Sequence, residues 1–193
     1  MFAYLEGELT YKSPSQLHVA AGGVGYEVNI TLQTYAKIQH LEKARLLIHL
    51  QIREDAWVLY GFADEQERVT FRALLGISGI GAATARILLS SLTPGELERA
   101  VSSDDVKVLQ MVKGVGAKTA QRILLELKGK LEPDNNNVAT VQGFVHNTSA
   151  DDALIALMNL GIARNAAQEA IKKIPDASAL SVEELIKSAL RVL

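Results

Sequence analysis

The segment Gly79-Ile80-Gly81-Ala82-Ala83-Thr84-Ala85 returns as Gly114-Val115-Gly116-Ala117-Lys118-Thr119-Ala120, offset by 35 residues, and the alignment runs without gaps from Leu74–Leu89 to Leu109–Leu124. In each copy a pair of glycines separates two apolar helical runs. Glycine turns the backbone tightly with no Cβ in the way, and the helix that follows opens with N–H groups that it cannot satisfy itself. Those amides, at the positive end of a helix dipole, can hold a phosphate without reading a base. The pattern is that of a helix-hairpin-helix element. It makes Gly79, Ile80, Gly81 and Thr84, and Gly114, Val115, Gly116 and Thr119, candidate phosphate-binding residues. Two copies would each pin one phosphate region, which predicts sequence-independent, structure-selective binding of nucleic acid. A single glycine pair would more simply end one helix and begin the next. Two gapless copies with Thr-Ala at the same place favour the binding reading.

Cations near these turns are few. Lys118 and Arg122 lie four apart on the second hairpin's outgoing helix and share a face, where they could add charge to an amide-held phosphate. In the first copy Ala83 takes the lysine position and Arg86 lies just beyond Thr84-Ala85. The first hairpin is therefore expected to depend more on its backbone.

Other readings of the glycines fail on spacing. A nucleotide-binding P-loop needs glycine immediately before Lys118-Thr119, where Ala117 stands. A dinucleotide fingerprint needs a third glycine where Thr84 and Thr119 sit. The chain has no cysteine, and His18, His40, His49 and His146 show no metal-ligand spacing. No cofactor and no metal site are expected. A hairpin nuclease or glycosylase would need an acidic metal cluster or a catalytic Lys/Asp pair, and Lys118 has no suitably placed acidic partner in its motif. The hairpins of an adaptor would bind protein in place of DNA.

The formal net charge is −2, unlike that of most nucleic-acid binders. Counting Lys and Arg against Asp and Glu gives −1 for residues 1–63, +1 for 64–132 and −2 for 133–193. Phosphate binding in the middle segment must lean on backbone amides and a few placed cations. No apolar run reaches the roughly 18 residues of a membrane span, and the first residues lack a secretory pattern, so a soluble cytoplasmic protein is expected.

The elements that would position the hairpins change along the chain. Residues 1–63 read as short strands: Leu17–Ala20, Tyr26–Ile30, Leu46–Leu50 and Trp57–Tyr60. They are punctuated by turn signals at Ser13-Pro14-Ser15 and Gly22-Gly23-Val24-Gly25. Five or so strands in that length predict a small β-barrel, with an OB-fold the leading candidate. Residues 64–132 take a helical period and form an all-α double hairpin module. Residues 133–148 are polar and Asn-rich, a flexible linker. Residues 149–193 predict three helices, with Gly161 closing the first and a capping box at Ser181–Glu184 opening the third. So small a core suits a docking module. The fold class is multidomain α+β. Glu54 and Asp55 fall side by side between two strand-like runs and, on their own, read as a solvated turn.

Several of these segments together resemble the RuvA family: Gly22–Val28, Arg53-Glu54-Asp55-Ala56 followed by Leu59-Tyr60-Gly61-Phe62, and both hairpins. The likeness spans the chain, including the linker and a UBA-like three-helix end. It implies a non-catalytic subunit that binds four-way (Holliday) junction DNA in recombination and repair. Its implied partners are a hexameric AAA+ ATPase of the RuvB type, a RuvC-type resolvase, and further copies of itself as a tetramer or octamer. It places Glu54 and Asp55 on an acidic pin at the junction centre, reversing the bland reading of that turn. Gly79, Gly81, Gly114, Gly116 and Lys118 fall on its phosphate-binding positions. Leu157, Leu160, Ile162 and Leu190 fall where the family presents an apolar patch to the motor. Ala83 and Ala117 depart from lysines, and Ile162 from a tyrosine, found in some relatives.

Overall fold

Strand-length runs in which alternate residues are apolar close the N-terminal part of the chain into a barrel. The computed structural model describes residues 2–131, 149–174, 177 and 180–193, and it divides into two compact units, residues 1–132 and 133–193. The first unit opens with β1 (Tyr4–Ser13), β2 (Gln16–Ala21) and β3 (Val24–Asn29). Helix α1 (Leu32–Ile38) follows, then β4 (Lys43–Ile52) and β5 (Trp57–Phe62). The strand order is β1-β2-β3-β5-β4, closed by antiparallel pairing of β4 with β1, with β3 and β5 parallel. This is OB-type topology, and closure leaves no free sheet edge. Leu17, Val19, Val28, Leu46 and Ile48 fill the interior. Gly22 and Gly23, both at positive φ, make the β2–β3 turn that a side chain would strain.

Helix α2 (Glu65–Leu75) starts at Asp64, whose carboxylate accepts from the Glu67 amide, and folds back over β4 and β5. Phe71 is fully buried there, with ring centroids 4.9 Å from Phe62, 5.1 Å from Tyr60 and 5.4 Å from His49. Next come α3 (Ala82–Ser91), α4 (Pro94–Ser102), α5 (Val106–Gln110) and α6 (Ala117–Leu131). Their apolar faces join Tyr60 and Phe62 in one continuous core that includes Leu74, Leu88, Leu97, Leu109 and Ile123. The hairpin helices are thus seated on the barrel by aromatic packing.

Glu67 adds a buried polar tie between helix and barrel. Its carboxylate accepts from the hydroxyls of Thr31 and Thr34, the latter at 2.8 Å. Thr34 in turn accepts from the Ala63 amide at 3.0 Å. Burial pushes the Glu67 carboxyl above the usual glutamate range.

The second unit contains α7 (Ser149–Asn159), α8 (Arg164–Lys172) and α9 (Val182–Val192). Gly161, at φ +88°, ends α7 in a Schellman motif: the Ile162 amide donates to the Leu157 carbonyl and the Gly161 amide to the Met158 carbonyl. The capping box at Ser181 and Glu184 opens α9 as the spacing predicts. The polar segment read as a linker, 133–148, lies outside the described residues. Among the described residues no helix is long and apolar enough to cross a membrane.

Candidate nucleic-acid interface

The two glycine turns have the same conformation. Gly79 has φ +88° and Gly114 φ +90°, a region open to glycine and strained for other residues. The Ile80 amide donates to the Ile77 carbonyl and the Val115 amide to the Val112 carbonyl, both at 3.0 Å, so each turn is locked by its own backbone. Gly81 is the N-cap of α3 and, having no side chain, makes no cap hydrogen bond. The first bonds of the outgoing helices are Ala85 N–H to Gly81 C=O and Ala120 N–H to Gly116 C=O, both at 2.9 Å. The amides of residues 82–84 and 117–119 precede those bonds and lack intrahelical acceptors. Only the first glycine of each pair needs positive φ. The second, Gly81 or Gly116, is exposed, and a Cβ added to either would meet nothing within 4 Å.

Several side chains named from the sequence lie elsewhere. Ile80 and Val115 are buried in the helical core, and their amides are used inside the turns. They anchor the loops and have neither side chain nor N–H to offer a phosphate. Arg86 donates to the Asn29 side chain at 2.7 Å and to the Ser15 carbonyl at 3.2 Å, which ties α3 to the barrel. Arg122 reaches away from Lys118 to the first hairpin, donating to the Ser78 carbonyl at 2.8 Å, with Glu126 at 3.8 Å. Thr84 and Thr119 are half-buried in the first turns of their helices.

Lys118 is exposed on the first turn of α6. Lys113, in the turn before α6 at the place that Ser78 occupies in the first copy, is exposed as well. Neither forms an ion pair among the described residues. Reading the repeat outward from the glycines by one residue would have found Lys113.

Glu54 and Asp55 sit at the tip of the β4–β5 hairpin, closed by an Arg53 amide to Ala56 carbonyl bond of 2.9 Å. Both are exposed, and neither pairs with a cation among the described residues.

In the second unit the four residues assigned to an apolar docking patch separate. Leu157 is fully buried and Ile162 half-buried in the three-helix core, because the Schellman turn folds Ile162 back toward the end of α7. They hold the module together, and Leu157 has no surface to present. Leu160 is 64 % and Leu190 47 % exposed, and Ile155 on α7 is a further exposed apolar side chain that the sequence reading passed over.

An OB-type barrel carrying an acidic hairpin, joined through a shared core to two matched glycine turns, defines a barrel and tandem helix-hairpin-helix protein. Comparison with known families agrees and is more specific. The family model described as RuvA N terminal domain matches residues 1–61, SAM-like Helix-hairpin-helix tandem matches 71–130, and RuvA, C-terminal domain matches 148–193. Proteins named Holliday junction branch migration complex subunit RuvA align over the full length. That of Leptothrix cholodnii is 46 % identical over 194 residues, covering 100 % of this chain and 99 % of the relative. Those of Christiangramia forsetii and Bacteroides fragilis are 42 % and 41 % identical, with 100 % of both chains covered. The chain belongs to the RuvA family.

Proposed function

We propose that this chain is the non-catalytic, junction-binding subunit of a branch migration complex, gripping four-way DNA by phosphates and leaving ATP hydrolysis to a separate hexameric AAA+ partner. The observation that carries this reading is the pair of glycine turns with matching φ, each presenting uncapped first-turn amides of a following helix. Backbone amides do not distinguish bases, so recognition is of the path of the strands. Gly79, Gly81 and the amides of Ala83 and Thr84 form one phosphate seat, from which the fully buried Ala82 is closed off. Gly114, Gly116 and the amides of 117–119 form the other, with Lys118 and Lys113 supplying charge.

Arg122 is a positioning residue that ties the second motif to the first turn, and Arg86 holds α3 to the barrel. At the hairpin tip, Glu54 and Asp55 repel phosphates and disfavour a continuous duplex across the centre. Leu160 and Leu190 present the motor-docking surface of the second unit. The names of the relatives support the complex; assembly as a tetramer or octamer around an open junction, with a RuvC-type resolvase as a later partner, is part of the same proposal.

A gel shift of the full chain with a four-way junction and a linear duplex of equal length tests the reading. Retardation of the junction at far lower protein concentration is expected. An adaptor would retard neither, and cleavage of labelled duplex in Mg²⁺ would identify an enzyme.

A further inference from the structure

The face of β4 and β5 that fills the barrel continues beyond it. On β4, Leu46 and Ile48 face the interior, and Ile52 shares their parity; on β5 the matching positions are Gly61, Leu59 and Trp57. Ile52 and Trp57 are direct cross-strand partners, the last pair before the Arg53–Ala56 turn. Ile52 is 64 % and Trp57 73 % exposed, since no barrel remains to cover them. Trp57 stacks on no ring and sits under no cation among the described residues. An uncovered indole beside an aliphatic side chain is a flat apolar surface in water, where burial of either face is favourable.

What can cover it is limited by its surroundings. Glu54 and Asp55 lie between the two residues in the chain, so a phosphate backbone is repelled from the tip while a neutral base is not. Two side chains are far too small for a stable protein interface, which needs about 800 Å² from each partner. One nucleobase needs only one ring face. The loop between β4 and β5 is also one of the places where OB barrels meet oligonucleotides.

We infer that Trp57, with Ile52 beside it, is a stacking platform for one unpaired or unstacked nucleobase at the open centre of a branched DNA. This rests on the junction-binding reading above. In that setting the tip does two things: its carboxylates hold strands apart, and its indole receives a base that the separation frees.

Trp57 is the single tryptophan of the chain, so its emission in the full-length protein reports on this residue alone. The test is a titration with a synthetic four-way junction, following emission together with the anisotropy of a labelled arm, and a parallel titration with linear duplex. Emission is expected to be quenched as the junction saturates and to stay unchanged at saturating duplex. Trp57→Ala should weaken junction binding roughly tenfold, and Trp57→Phe should restore most of it. Unchanged emission on a saturated junction, or wild-type affinity in Trp57→Ala, would overturn the stacking role while leaving junction binding in place. An emission change that depends on protein concentration without DNA would place a second copy on the ring and overturn it too. Absence of any anisotropy change with junction would refute the junction-binding reading, and the stacking role with it.

Discussion

Arg122, on the helix that leaves the second glycine turn, donates to the carbonyl of Ser78 in the first turn at 2.8 Å. The guanidinium also lies 3.8 Å from where a Cβ on Gly79 would be, so one side chain ties the second glycine turn's helix to the first turn. A partly exposed charged hydrogen bond of this kind contributes about 1 kcal/mol to stability. Arg122→Ala should therefore lower the melting temperature by only a few degrees, on the order of 4 °C, yet weaken junction binding by roughly tenfold. The slope of affinity against salt separates two roles. A positioning residue leaves it unchanged, whereas loss of a direct phosphate contact would reduce it by about one.

The two glycines of each turn should respond differently. Gly114→Ala forces an L-residue to φ +90° and should cost about 1–2 kcal/mol, lowering both the melting temperature and junction affinity. Gly116 is outside the positive-φ set and has open space around it. Gly116→Val should therefore fold with a near-native circular dichroism spectrum and melt, yet lose junction binding because its side chain occupies the approach to the amides of 117–119. Wild-type affinity in a folded Gly116→Val protein would remove the second turn from the interface.

The repeat was legible because glycine pairs, helix periods and a fixed offset are local properties of the chain, and the turns they specify are locked by bonds between near neighbours. The barrel was legible in outline for the same reason. Its first strand, β1, was harder: only Leu5 and Leu9 are buried among Glu6, Gly7, Glu8 and Thr10, which gives little apolar signal. Helix α1 has seven residues and depends on Thr31 as its cap and on Glu67, 36 positions away, for a buried partner. Side-chain roles were least legible. A motif position does not say whether Arg86 or Arg122 already has an acceptor in the fold, nor that Leu157 and Ile162 belong to the inside of their module. The family was legible in Gly22–Val28, the Arg53–Ala56 turn and both hairpins, and the relatives agree with it, whereas the tertiary contacts redistributed the roles of residues within it.

The second unit offers a clean division between packing and surface. Leu157→Ala removes a fully buried side chain, costing about 2–5 kcal/mol, as much as a core of this size holds. The full chain carrying it should become protease-sensitive after residue 148. Leu160→Asp with Leu190→Asp changes exposed positions and should leave protease resistance intact while abolishing stimulation of the partner ATPase. Full stimulation by that double variant would move the docking surface elsewhere.

Glu67 gives the first unit a pH dependence of uncommon sign. Burial raises its folded-state pKa above the unfolded value, so the stability it contributes is fully present below the unfolded pKa and lost as pH rises through the folded one. Glu67→Gln should melt higher than wild type above that window, with the advantage disappearing toward the ordinary glutamate range. Glu67→Ala should be less stable than wild type by about 2 kcal/mol at low pH, because the Thr31 and Thr34 hydroxyls lose their buried partner, and the deficit should shrink as pH rises and the wild-type carboxyl ionises. Thermal melts of the three proteins between pH 4 and pH 8 check the sign, and a Gln variant that loses stability at neutral pH would contradict it.

The acidic tip should act against ordinary DNA-binding logic. Glu54→Gln with Asp55→Asn removes two exposed, unpaired negative charges from a turn whose backbone is closed by Arg53 and Ala56, so the fold should be unaffected. One charge pair at 8 Å is worth roughly 2 kcal/mol at an effective dielectric of about 20, before salt reduces it. Several copies of the chain around one junction would multiply that term. The neutralised protein should bind linear duplex more tightly and lose most of its preference for the four-way junction, an effect that shrinks as salt is raised. Competition between junction and duplex at two salt concentrations measures the ratio directly. A selectivity ratio equal to that of wild type at low salt would return Glu54 and Asp55 to the role of a solvated turn.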